Sequence, residues 1–107
     1  MTLPTEAKNE ATNLYQRLGI NIRQSTTLTI GNIEFKFYLD AAAYDAMQNE
    51  MAPDNKITPI KDYLLTIVEP TKRQELAELL QIPGLAPDLA AIVNKELIPQ
   101  IDIQIKN

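Results

Sequence analysis

Cysteine, histidine and tryptophan are all missing from this chain of 107 residues. Without cysteine there is no disulfide, no thiolate metal site and no thiol nucleophile. Without histidine the usual general base near neutral pH is gone, and so is the commonest metal ligand. Ser25 is the single serine, and with no histidine to activate it a Ser-His-Asp arrangement is excluded. Carboxylates, lysines and tyrosines remain, and each would need a pocket to tune it for catalysis. Long apolar runs are lacking too. No stretch approaches the roughly 20 residues that span a bilayer, and Met1-Thr2-Leu3-Pro4-Thr5-Glu6 lacks the basic and then apolar order of a secretory signal. The expected compartment is the cytoplasm of the cell that makes the protein. Positive charge is sparse: ten Lys and Arg stand against 14 Asp and Glu, for a net charge of −4. The cations are dispersed, with Lys72-Arg73 the one adjacent pair. No basic stripe is available to neutralise phosphates, so neither nucleic acid nor a membrane is an expected partner.

What is present reads as one small domain, because domains of roughly 100–150 residues are the commonest size. Two Phe and four Tyr are the only aromatics, so the core must be mostly Leu, Ile, Val and Ala. The clearest local pattern is Thr26–Ile30 and Ile33–Phe37, alternating on either side of Gly31-Asn32. A two-residue turn with Gly between alternating runs predicts a tight hairpin. In that register Ile30 faces Ile33, Leu28 faces Phe35 and Thr26 faces Phe37, all on one side. The other side carries Thr27, Thr29, Glu34 and Lys36. A hairpin apolar on one face must lay that face on something else.

Helices are predicted on both sides of the hairpin. Residues 1–24 read as an N-terminal helical arm, started by Pro4 and Thr5, striped by Ala7, Ala11, Leu14 and Leu18, and stopped by Gly19. The narrow stripe is expected to lean on the body or on another subunit. Asp40 caps a helix through Met51, with Tyr44, Met47 and Met51 on one face. Thr58-Pro59 opens a second, with Ile60, Tyr63, Leu64 and Ile67 inward. Pro70 starts a third with Leu76, Leu79 and Leu80, ended by Pro83-Gly84. Pro87-Asp88 starts a fourth with Leu89, Ile92, Val93 and Leu97. Ile101, Ile103 and Ile105 alternate with polar residues, which predicts a strand added to the hairpin. The expected class is therefore α+β. A β-hairpin plus a C-terminal strand form a small antiparallel or mixed sheet, packed against a cluster of about four short helices. Residues 1–24 are the arm and 25–107 the single domain.

Candidate chemistry is thin. Glu75 and Glu78 lie on the helix face away from Leu76, Leu79 and Leu80, as a solvated face does. Asp45, Glu50 and Asp54 straddle a helix end but lack the alternating oxygen ligands and the glycine of a calcium loop. Gly31-Asn32 is too short for a phosphate loop, and no helix N-terminus follows it. Tyr44, Tyr63, Met47 and Met51 at helical spacing read as core. Methionine adapts to varied surfaces, so Met51 beside Pro53 is a candidate contact residue. No catalytic residue, metal site or cofactor is expected, and the protein should work by binding other proteins.

The run Glu50-Met51-Ala52-Pro53-Asp54-Asn55-Lys56 carries a resemblance, together with Leu28-Thr29-Ile30-Gly31-Asn32, Asp62-Tyr63-Leu64-Leu65, Pro83-Gly84, Leu89-Ala90-Ala91-Ile92-Val93 and the terminal Ile101–Ile105 alternation. In this order the motifs resemble the short tail assembly chaperones of tailed phages and prophages of Gram-negative bacteria. The resemblance covers roughly residues 26–107 and leaves the arm without a counterpart. It implies no catalytic residues. It implies a protein of the host bacterial cytoplasm that binds the tape measure protein, and the tail tube subunits as a second partner, during tail morphogenesis. Such a protein would be absent from the mature virion. The partner-binding residues expected on this basis are Met51, Pro53, Asp54, Asn55, Lys56 and Ile57. The competing readings are a structural tail completion or connector protein, then a regulatory or antitoxin-like module, and last an enzyme.

Overall fold

The computed structural model describes residues 14–106. Strand β1 (Ser25–Ile30) and strand β2 (Ile33–Tyr38) form an antiparallel hairpin. Its pairs are those that the alternation predicts: Ile30 with Ile33, Leu28 with Phe35, Thr26 with Phe37. Gly31 sits at φ 65 and no non-glycine residue takes positive φ among the described residues. Gly at the first central position is what a type II′ hairpin turn requires. One face is buried at Thr26, Phe35 and Phe37, while Thr27, Thr29 and Glu34 meet solvent.

Helix α1 (Ala41–Glu50) begins as predicted. Asp40 is its N-cap, and its Oδ1 accepts the Ala43 N–H at 3.0 Å. Met47 is buried, and Tyr44 and Met51 pack against the core beside it. Helix α2 (Ile57–Ile67) buries Pro59, Tyr63, Leu64 and Ile67. A 3-10 turn (Pro70–Lys72) leads into helix α3 (Arg73–Leu79), which buries Leu76 and delivers Leu80 to the core at its C-cap. Helix α4 (Leu85–Leu97) buries Ala86, Leu89, Ala90, Val93 and Leu97. The hairpin lays its apolar face on α2 and α4, with α1 and α3 packed on α2. The architecture is α+β, with the residues before β1 entering from a helical turn at 14–17.

The chain stops α2 and returns to the sheet in one move. Glu69 precedes Pro70, whose ring disfavours helical backbone at the residue before it. Val68 is extended at φ −70, ψ 151. It bridges Phe37, and the Glu69 N–H donates to the Lys36 carbonyl at 2.8 Å. The outer edge of β2 is thereby covered.

Three expectations need correction. The C-terminal strand does not form among the described residues: 99–106 carry no regular structure, and Ile101, Ile103 and Ile105 are exposed. Val68 and Glu69 already occupy the β2 edge where a third strand would have paired. The second and fourth helices begin at Ile57 and Leu85, two residues before the predicted starts at Pro59 and Pro87. The first four N–H groups of a helix have no partner within it, so proline at the third position forfeits no hydrogen bond. Ile92 faces outward, about 100° round the helix from Val93, which takes the core. Leu14 and Leu18 are exposed, so the body of the same chain does not cover this end of the arm, and of the two expected supports another subunit is the one that fits. Its predicted stop does hold. Gly19 (φ 71) ends the helix with Ile20 N–H on the Tyr15 carbonyl at 2.9 Å and Gly19 N–H on that of Gln16, the paired bonds of a Schellman motif. Pro4, Thr5, Ala7 and Ala11 lie outside the described residues.

Candidate functional site

The six candidate contact residues fall on the connection between α1 and α2, which is a closed turn. The Ala52 N–H donates to the Asn55 carbonyl at 3.1 Å and the Asn55 N–H returns the bond to Ala52 at 3.0 Å. Pro53 and Asp54 occupy the two central positions, where Pro pre-sets φ for the first of them. Met51 anchors the turn from behind: its N–H bonds the Met47 carbonyl at 3.1 Å, and its side chain packs against the core. Pro53, Asp54, Asn55 and Lys56 are exposed, and Ile57, 46% exposed, stands at the first position of α2.

The structure thus separates residues that the sequence grouped. Met51 is a half-buried support, Pro53 to Lys56 form a polar crest, and Ile57 is the apolar side chain offered to solvent. A shallow cleft of about 190 Å3 opens behind the crest between α1 and α2, lined by Ala43, Met47, Glu50, Pro59, Asp62 and Tyr63 among others.

Tyr63 closes the floor of this region. Its hydroxyl donates to Asn94 Oδ1 at 2.7 Å, joining α2 to α4. The Tyr44 ring meets it edge-on, with centroids 6.1 Å apart and planes at 73°. Burial pushes the Tyr63 hydroxyl up to about 12, with smaller contributions from Tyr44 and Asp40. A phenol held this firmly in its protonated form is a hydrogen-bond donor at neutral pH and a poor base.

The acidic residues singled out from the sequence do not converge among the described residues. Asp45, Glu50 and Asp54 are exposed, and no group of three acidic residues gathers into a metal-binding set among the described residues. Glu75 and Glu78 are exposed, with the Lys72 Nζ 3.7 Å from Glu75. No helix among the described residues is long and apolar enough to cross a membrane. An arrangement of a rigid crest, one exposed apolar side chain and a shallow cleft suits contact with another macromolecule.

One feature was missed from the sequence. Leu28, Ile30, Leu85, Leu89 and Ile92 line a cleft of about 330 Å3 between the hairpin tip and α4. The sequence carries no local signal for it, because adjacent helix positions can share one core, as Tyr63 and Leu64 do, and only the neighbouring hairpin leaves Ile92 outside while Val93 is buried.

Residues 26–107 match the sequence model of a family described as phage tail assembly chaperone. The chain belongs to this family. The match begins at Thr26, the first buried residue of the hairpin, and so contains the whole core. A protein of Haemophilus phage HP1 (strain HP1c1), named as an uncharacterized 11.3 kDa protein in the lys 3′ region, is 44% identical over 100 residues, covering 94% of this chain and 98% of that protein. Such coverage cannot come from residues 26–107 alone, so the likeness to this phage protein extends into the arm. No solved structure matches the chain.

Proposed function

We propose that this tail assembly chaperone binds the tape measure protein of its phage during tail morphogenesis, in the host bacterial cytoplasm, and is left out of the finished virion. Tail tube subunits are the second partner in this reading, and the protein makes no and breaks no covalent bond. The observation that carries it is the family match across the whole core, residues 26–107. Residues 25–107 act as the working unit and residues 1–24 as an arm attached to it.

The contact is built from Met51, Pro53, Asp54, Asn55, Lys56 and Ile57. Ile57 supplies exposed apolar area, the doubly bonded turn holds it in place, and Met51 supports the turn from the core. A tape measure protein is long, helical and rich in apolar stripes until the tube encloses it. A small acidic protein that covers such a stripe keeps the pair soluble through its own net charge of −4. Because the contact rests on apolar area, it should survive moderate salt, which screens exposed charges.

Co-expression with the tape measure protein of the same phage tests the proposal. The expected result is that the tape measure stays soluble and the two co-purify. Ile57→Asp should abolish co-purification while leaving the melting temperature unchanged, whereas the double change Asp54→Ala, Lys56→Ala should weaken it much less. A tape measure equally soluble without this chain would overturn the reading. Recovery of the chain as a stoichiometric ring in purified virions would replace it with a structural tail completion or connector protein.

A further inference from the structure

Among the described residues, the hairpin leaves one strand edge and one apolar cleft side by side without a partner. A two-residue turn closes on a mutually bonded pair, so Ile30, Leu28 and Thr26 bond inward to β2. The Leu39 N–H to Gln24 carbonyl bond at 2.9 Å continues the same series. Ser25, Thr27 and Thr29 therefore turn their N–H and C=O groups outward, and no backbone bond reaches them on that side among the described residues. Beside the tip end of this edge lies the cleft lined by Leu28, Ile30, Leu85, Leu89 and Ile92, with Ile92 53% exposed. An open edge beside apolar surface is a template for a further strand.

The same chain carries a strand-like segment that matches it. Ile101, Ile103 and Ile105 recur at the two-residue period of a strand, with Asp102 and Gln104 between them. They are 50%, 86% and 87% exposed, and no backbone hydrogen bond holds 99–106 among the described residues. Three isoleucines in a row on one side fit an apolar cleft, and the two polar residues fit the solvated face that Thr27 and Thr29 occupy.

The route from α4 keeps this segment off its own hairpin. Gln100 lies on the helix flank of Tyr44, Ala91 and Asn94, whereas the cleft lies on the flank of Leu85, Leu89 and Ile92, about a third of the way round the helix. On the cleft side, Glu96 is bonded to Arg23 at 2.7 Å, across the passage from the end of α4 to the start of β1. Pro99, in the short connection, has a fixed φ and no N–H to give to a turn or ladder.

We propose that residues 101–105 of one copy add as a strand to the β1 edge of a second copy, with Ile101, Ile103 and Ile105 in that copy's cleft. The exchange is reciprocal, so each copy gives one tail and receives one, and the assembly closes as a symmetric dimer with both β1 edges covered. It does not depend on the identity of any client protein.

Sedimentation of the full chain over a range of concentrations tests this, together with hydrogen exchange of the same samples. The expected species has twice the 12.0 kDa mass of the chain, and the amides of Thr27 and Thr29 exchange more slowly as it forms. Ile103→Asp, which spoils the tail, and Ile92→Asp, which spoils the cleft, should each weaken association at least tenfold. Both residues are exposed, so circular dichroism should report unchanged folding. An equimolar mixture of the two variants retains one sound tail and one sound cleft, and should associate more tightly than either variant alone. A monomer at every concentration overturns the proposal, whether or not its tail is protected. So does a dimer that Ile103→Asp leaves intact, a mixture no tighter than its components, or growth beyond two chains.

Discussion

Phe35 and Phe37 are the only phenylalanines in the chain, and both are fully buried. They project from β2 onto α2 and α4, so the aromatic volume of the hairpin is concentrated at two adjacent inward positions. Large-to-small changes at such sites lose transfer free energy and leave a cavity as well. Phe35→Ala is expected to cost about 3–5 kcal/mol, measured by urea unfolding. A loss under about 1 kcal/mol would show that the site collapses around the smaller side chain or is not enclosed in solution. Both residues were legible in the sequence, because Gly31-Asn32 fixed the register and a one-residue slip would have put both rings in water. Ile92 was misread for a comparable reason: the helical stripe is wide enough to admit either Ile92 or Val93, and only the neighbouring hairpin decides between them.

Among the elements, α1 is the one whose start was read correctly from a side chain. Asp40 accepts the Ala43 N–H, which satisfies a donor that the helix itself cannot. Asp40→Ala should therefore cost about 1 kcal/mol, seen as a lower melting temperature with the cooperativity of unfolding unchanged. Asp40→Asn should recover most of it, and equal losses in both variants would mean that the cap is not what Asp40 provides. Helices α2 and α4 start two residues ahead of their prolines, although proline is most frequent at the first helical position. Proline at the third position meets the same requirement. The terminal strand was the larger error. Alternation at 101–105 describes what the segment can form, while pairing depends on an edge within reach. Val68 bridges Phe37 on one edge, and the exit of α4 faces away from the other. Neither fact has a local sequence signal.

At the scale of the molecule, Tyr63 joins three helices: its hydroxyl bonds Asn94 on α4, its ring meets Tyr44 on α1, and it stands on α2 itself. Its pKa rises to about 12 from an ordinary value of 10.0. The native state therefore holds a proton that the unfolded chain releases above pH 10. The stabilisation is complete below pH 10 and is lost as pH rises toward 12, reaching about 2–3 kcal/mol at most. Tyr63→Phe should lose about 1 kcal/mol at neutral pH with the Asn94 bond, and should show a shallower fall in stability between pH 10 and 12. Identical alkaline slopes for the two proteins would assign that fall to other groups. The crest at 51–57, the proposed contact, was marked in the sequence only as a position, since the motif says where residues lie and not which of them is exposed. Tertiary packing turned Met51 inward and left Ile57 outside. The same packing ends abruptly: Leu97 is the last buried residue, and residues 101–106 are all exposed. Residues 101–106 are thus a handle on an already finished body. A fluorophore on the side chain of Asp102 or Gln104, between the three isoleucines, should leave the fold of the single chain unchanged and would register encounters between molecules.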